Sequence, residues 1–194
     1  MKKSFVVFFA LTVAAVSAFA KSGTWSLDQS HSNISFSIQH MVISEVTGTF
    51  KDFNVSLLSS KDDFSDAAIS ATIGVKSIDT RNEMRDNHLK TDDFFNAEKF
   101  PTIKFQSTSL EKVSDGHYKI KGYLTIRDST KAVTIDAVLN GVIKSSKGAR
   151  SGWKATLAVN RFDYGLKWDR TIESGGLVAG SMVNLTFNLE FVKQ

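Results

Sequence analysis

The 194-residue chain has no cysteine and a single proline. Without cysteine there is no disulfide framework, no thiolate metal site, no cysteine nucleophile and no residue for lipid attachment behind a leader. Stability must come from packing and hydrogen bonds. No strong excess of either charge is present: 24 Lys and Arg stand against 20 Asp and Glu, interspersed along the chain. Nucleic-acid binding would want a basic stripe with interleaved aromatics, so no nucleic-acid partner is expected. No uninterrupted apolar run reaches the roughly 18 residues of a membrane-spanning helix, and no stable membrane insertion is expected. What remains, 42% hydrophobic residues with 15 Phe, is the composition of one globular domain.

The amino end reads as an export signal. Lys2 and Lys3 precede an apolar run from Phe5 to Val16, and Ala18-Phe19-Ala20 offers the small-x-small site of a signal peptidase. The expectation is a cleaved leader over 1–20, a single domain over 21–194 and a periplasmic location; an uncleaved anchor is the rival. Loss of the leader takes Lys2 and Lys3 with it and lowers the net charge from +4 to +2.

From Lys21 onward apolar and polar residues alternate with period two, which places successive side chains on opposite faces of a strand. Ile34, Phe36 and Ile38 alternate with Ser35, Ser37 and Gln39, and Phe53, Val55 and Leu57 follow the same rule. The pattern returns at Ile69 to Val75, at Ile103 and Phe105, and at Tyr118 to Ile126. It recurs at Val133 to Leu139, Trp153 to Val159 and Val183 to Phe191. Ser114-Asp115-Gly116 predicts a hairpin. Asn140-Gly141 lies too close to the next loop to be a turn and predicts a bulge or bend. Ser174-Gly175-Gly176 to Gly180 reads as a loop.

One stretch breaks the period. Thr80-Arg81-Asn82-Glu83 has the form of a capping box and predicts a short helix ending near Leu89, with a second turn from Thr91 that aims Phe94 and Phe95 at apolar surface. The helical segment lies near residues 80–96. Eight or so long alternating runs with one helical excursion argue for an all-β fold, an eight-stranded antiparallel barrel whose closure removes exposed edges; a sandwich is the rival.

The chain carries no catalytic constellation. No serine sits in a Gly-x-Ser-x-Gly elbow, and no phosphate-binding or dinucleotide-binding glycine loop is present. Asp62-Asp63 and Asp92-Asp93 read as solvated or helix-start carboxylates. His31 and His40 face opposite sides of a regular strand, with no nearby carboxylate to complete a metal site, so no metal is expected. His40 shares inward parity with Phe36 and Ile38, whereas His88 and His117 read as exposed. Arg81 and Arg85, four apart on the helix, share a face that could meet an anionic head group or form surface salt bridges. Arg127, Lys131 and Arg161 could serve similarly. Phe36, Phe53, Phe105, Leu124, Trp153 and Phe187, all at inward parity, either fill a barrel or line a dry tunnel.

These residues carry a resemblance. His31-Ser32, Phe36, His40, Gly48 and Phe50, then Thr80-Arg81-Asn82, Arg85-Asp86, His88-Leu89, Asp92 and Phe94-Phe95, resemble the YceI family. Phe100-Pro101, Phe105, Gly122, Leu124-Thr125-Ile126, Thr130-Lys131 and Asn160-Arg161 with Asp163 and Gly165 extend the likeness over nearly the whole mature chain. Asp128-Ser129 departs from the small or neutral pair expected there. The resemblance implies an exported lipocalin-like barrel with an apolar tunnel for a long-chain amphiphile: a polyisoprenoid, as quinone or prenyl phosphate, or a fatty-acid-like lipid. Phe36, Ile38, Phe94 and Phe95 would touch the tail, and Arg81, Arg85 or His40 the head. A non-catalytic carrier with no cofactor other than such a lipid is the expected function, and a homodimer is an open alternative. The rival is a stress or quinone-linked redox accessory acting as an enzyme or through protein contacts.

Overall fold

A computed structural model of the chain describes residues 23–146, 148–173 and 175–193. The leader read at 1–20 lies outside the described residues. Eleven hydrogen-bonded segments follow in order: β1 Thr24–Leu27, β2 Asn33–His40, β3 Ser44–Phe50, β4 Phe53–Leu58, β5 Ala68–Gly74, β6 Ile78–Asp79, β7 Thr102–Ser114, β8 His117–Ile126, β9 Ser129–Ser145, β10 Gly148–Asn160 and β11 Ala179–Lys193. One helix, α1, spans Glu83–Leu89.

Eleven segments make eight strands because three strands are creased. β1 and β2 run along one edge of β11, Trp25 opposite Lys193 and Ile38 opposite Val183. β3 and β4 continue each other, pairing with β2 and β1 respectively, and β5 and β6 pair in turn with β4 and β3. The creases fall side by side: Asp28 N–H reaches Glu190 O at 2.8 Å, Lys51 N–H reaches Ser77 O at 3.2 Å and Gly74 N–H reaches Asp52 O at 2.8 Å. Gln29 Nε2 adds a bond to Phe53 O at 2.6 Å across the same line. All neighbours in this meander are also neighbours in sequence, except that β11 returns to β1 and β2 and closes the eight-stranded antiparallel barrel. No helix among the described residues is long and apolar enough to cross a membrane.

The inward set follows the period-two reading. Tyr118, Ile120, Leu124 and Ile126 are buried along β8, and Trp153, Ala155, Leu157 and Val159 along β10. Two bulges move the phase. Opposite β8 the register skips Thr108, so the inward series of β7 passes from Ile103 and Phe105 to Leu110. Opposite β10 it skips Asn140, the irregularity expected at Asn140-Gly141. Gly122 lets Phe105 lie flat on β8, since a Cβ there would stand 2.6 Å from the ring. The sequence around Asp128-Ser129 makes a tight turn, with Ile126 paired to Ser129 and Arg127 in the left-handed region at φ 55°.

The helix begins differently from its capping-box expectation. Asn82 caps it, its side chain accepting from Arg85 N–H at 3.0 Å, because a left-handed turn at Arg81 (φ 62°) starts the helix two residues late. Thr80 is diverted to the Asp86 carboxylate. Arg81 therefore precedes α1 and shares no helical face with Arg85.

One end of the barrel is plugged. The 59–67 connection between β4 and β5 sends Phe64, 1% exposed, up between Trp25 and Trp153 with ring centroids 5.2 and 5.0 Å away, and Tyr118 lies tilted against Trp153 at 5.2 Å. Phe64 adopts φ 56°, a strained conformation for a bulky residue that burial of its ring sustains. Asp66 holds this connection, accepting from Ser59 Oγ at 2.6 Å, Ser60 N at 3.0 Å and the Ser60 hydroxyl. Phe64→Ala removes the plug and should cost about 3–5 kcal/mol in urea unfolding. Bonds from the Ser59 and Ser60 hydroxyls keep the Asp66 pKa well below the usual carboxylate range. Such a group contributes stability above its unfolded pKa of about 3.9, and that contribution is lost as pH falls. The melting temperature should drop between about pH 5 and pH 2, and Asp66→Asn, less stable near neutrality, should show a shallower drop.

Candidate functional site

The other end is open in the wall and covered by non-barrel elements. Beneath them lies a cavity of about 520 Å³, within the range of small-molecule sites. Its floor and sides come from Phe36 and Ile38 on β2, Val46 and Phe50 on β3, Ile126, Val159, and Val183 and Leu185 on β11. Its cover comes from Arg85, His88 and Leu89 of α1, Phe94 and Phe95 of the following turns, Leu166, Trp168 and Val178 of the segment before β11, and Ala179 at the start of β11. Ile126 and Leu185 also border a second, narrow space of about 100 Å³ lower in the barrel, lined wholly by apolar side chains. The interior is thus hollow above and nearly filled below, the plug closing the bottom.

Three contacts hold the cover. His88, Phe94 and Trp168 form an aromatic cluster, with centroids 5.1 Å from His88 to Phe94, 5.8 Å from His88 to Trp168 and 5.6 Å from Phe94 to Trp168. Arg127 at the β8–β9 turn donates from Nη1 to Phe94 O at 2.8 Å and to Asp92 O and Gly165 O at 3.0 Å, while its Nη2 meets Asp92 Oδ1 at 2.8 Å. Buried Asp86 accepts from Thr80 N at 2.9 Å and Thr80 Oγ1 at 2.6 Å. Arg85 closes this network, Nε donating to Thr80 Oγ1 at 2.7 Å and Nη2 to Thr80 O at 2.8 Å. The network orients Arg85 along the cavity rim.

Of the residues read from sequence, Phe36, Ile38, His40, Arg85, Phe94 and Phe95 border the large cavity. Phe105, Leu124, Trp153 and Phe187 border the narrow lower space, with Trp153 also part of the plug. Phe53 is buried, 7% exposed, and borders neither space. Arg81 lies on the outer face beside Thr47, Nη2 to Oγ1 3.4 Å, away from the cavity. Arg127 serves the fold as described, and Lys131 is exposed on β9.

Several cavity residues escape the sequence reading. His88 keeps the exposure read for it, Nε2 meeting Asp93 Oδ2 at 2.8 Å, but its ring also meets Phe94 and Trp168 edge-on in the cover, which the sequence did not announce. Trp168 sits in a charged stretch, Lys167-Trp168-Asp169-Arg170, that gives no periodic signal. Of the loop read from Ser174 to Gly180, the described part turns back onto the chain before it, Leu177 bridging to Thr171 and Val178 N–H bonding to Arg170 O at 2.8 Å, and Ala179 and Gly180 already belong to β11. His31 does have carboxylates close by, Asp28 and Glu190, brought together by the crease. Arg150 already spans both, Nη1 lying 2.9 Å from Asp28 and 2.6 Å from Glu190.

A closed antiparallel barrel with one plugged end and an apolar chamber at the other defines a lipocalin-like binding fold. The YceI-like domain model matches residues 25–191, and the chain belongs to that family. A UPF0312 protein of Staphylococcus aureus strain N315 is 36% identical over 169 residues, covering 86% of this chain and 96% of that protein. The crystal structure of a Campylobacter jejuni YCEI protein is 31% identical with a TM-score of 0.69, covering 80% of this chain and 90% of the other. A structure described as a polyisoprenoid binding domain from Saccharophagus degradans shares the fold, with a TM-score of 0.64 at 15% identity over 88% of this chain and 98% of its own.

The Asp86 network gives a test of how the cover is held. Asp86→Ala leaves buried Thr80 N–H without its acceptor and should cost about 1–3 kcal/mol in urea unfolding. Amide exchange over 82–89 should speed up more than exchange in β8 and β10, measured by hydrogen–deuterium exchange mass spectrometry.

Proposed function

We propose that the protein binds and carries a long-chain amphiphile, a polyisoprenoid or a fatty-acid-like lipid, in the upper chamber, and that it does so in the periplasm without catalysing a reaction. The observation that carries this reading is the chamber itself, about 520 Å³ walled mostly by apolar side chains and bordered at its cover by Arg85 and His40. A hydrocarbon chain gains roughly 0.8 kcal/mol per buried methylene, so such a space needs few polar contacts to hold one. Phe36, Ile38, Phe94 and Phe95 would touch the chain. The leader read over 1–20 supports export. The rival, an accessory acting through surface contacts, draws support from the exposed β2–β3 tip, where Val42 is 56% and Ile43 86% exposed, but it leaves the hollow chamber without a purpose.

Organic extraction and native mass spectrometry of protein purified from its host should reveal a co-purifying lipid. Lipid added well above its dissociation constant should raise the melting temperature by about 5–10 °C. Val183→Trp, which projects bulk into the chamber, should abolish both effects while the apo protein still melts cooperatively. Repeated extraction without lipid, together with no thermal shift from any lipid tested, overturns the proposal.

A further inference from the structure

Arg161 is a buried cation in the wall of this apolar chamber. It follows β10 directly and is 3% exposed. Its Nε donates to Gly180 O at 2.8 Å, Nη1 to Leu166 O at 2.7 Å and Nη2 to Ala179 O at 2.9 Å. One face of the guanidinium lies on the Phe162 ring, 4.1 Å from its centroid. A guanidinium has five N–H donors, so two are left with no acceptor among the described residues. None of the described carboxylates pairs with it, Asp169 acting only through its field, and desolvation pulls its pKa below the ordinary arginine value. Arg127 pairs with Asp92 at 2.8 Å and Arg150 with Asp28 and Glu190, while Arg85, bonded to Thr80, is only half-buried. A buried charge is costly unless an opposite charge meets it, and carbonyl dipoles offset only part of that cost.

We propose that Arg161 supplies the recognition point for an anionic head group, a carboxylate or a phosphate monoester, so that the chamber selects charged chains over neutral ones of equal length. The inference rests on the reading of the chamber as an amphiphile site and adds the class and orientation of the cargo. The head group lies under the 166–179 segment, where the two free donors and the fork geometry of the guanidinium suit an oxyanion. The chain then runs past Phe36 and Val183 toward Leu185 and the narrow space below.

The test compares matched pairs below their aggregation concentrations by calorimetry on the intact protein: palmitate against hexadecanol, and farnesyl phosphate against farnesol. The anion of at least one pair should bind about tenfold tighter or more than its alcohol, the size of one charge-assisted hydrogen bond. A preference in one pair alone supports the proposal and identifies the anion. Arg161→Met should remove the preference by weakening the anion while the alcohol binds as before, and Arg161→Lys should restore part of it. Equal binding of anion and alcohol in both pairs by the unaltered protein overturns the proposal and leaves the amphiphile reading standing, a result that does not depend on either variant folding. A preference that survives in folded Arg161→Met also overturns it. Binding of none of the four compounds overturns this inference, and the amphiphile reading then stands or falls by the extraction and thermal-shift tests given for it.

Discussion

Every feature of the molecule depends on the sheet finding itself again, with β11 hydrogen-bonded along both edges. On one side it pairs with β10 from Arg150 to Asn160, and on the other with β1 and β2 in succession. A sheet that closes on itself needs no covering layer on its outer face, so its outward residues can be polar and most of the apolar set can turn inward. The aligned creases at 28–32, 51–52 and 74–77 then let three strands change direction together. At the upper end the wall between β6 and β7 is left to the 80–101 excursion, and the chamber takes its shape there.

The two ends of the barrel are built by different means. Below, aromatic rings brought by β1, β8, β10 and the 59–67 connection meet edge to face or tilted, which fills space densely. Above, the cover is assembled from elements that contribute no strand, and its polar groups are largely spent on one another: Thr80 with Asp86 and Arg85, and Arg127 with three carbonyls and Asp92. That leaves a wall that is mostly apolar, with its polar side chains gathered toward the cover. Arg161 is the buried charge in that wall, met by three carbonyls and the Phe162 ring.

The strands were legible because a half-buried strand writes its two faces into alternate residues. Ile34 to Ile38, Tyr118 to Ile126 and Trp153 to Val159 all place the expected side chains inside. The cover was less legible because its geometry depends on single backbone states and long-range partners. A left-handed Arg81 undoes the capping box and sends that residue to the outer face, and nothing in Lys167-Trp168-Asp169-Arg170 announces that Trp168 folds back onto His88. Parity also cannot distinguish a residue that lines a space from one that fills it. Phe36 and Phe53 read alike, yet the first borders the chamber and the second is packed solidly into the core. Arg161 lies just beyond the end of a strand, where period-two reasoning stops.

The meander has a kinetic corollary. Hairpin by hairpin, neighbouring strands can zip as soon as they meet, but the seam joins residues far apart in the chain, from His40 with Ala179 to Asn33 with Asn188. Loop closure on that scale comes late, because its entropy must be met before any seam contact forms. Until the final fifteen-residue strand arrives, the oldest part of the chain waits with an unpaired edge. The C-terminal strand is therefore the clasp of the molecule, and a nascent or trimmed chain lacking it would present a ready template for misassociation.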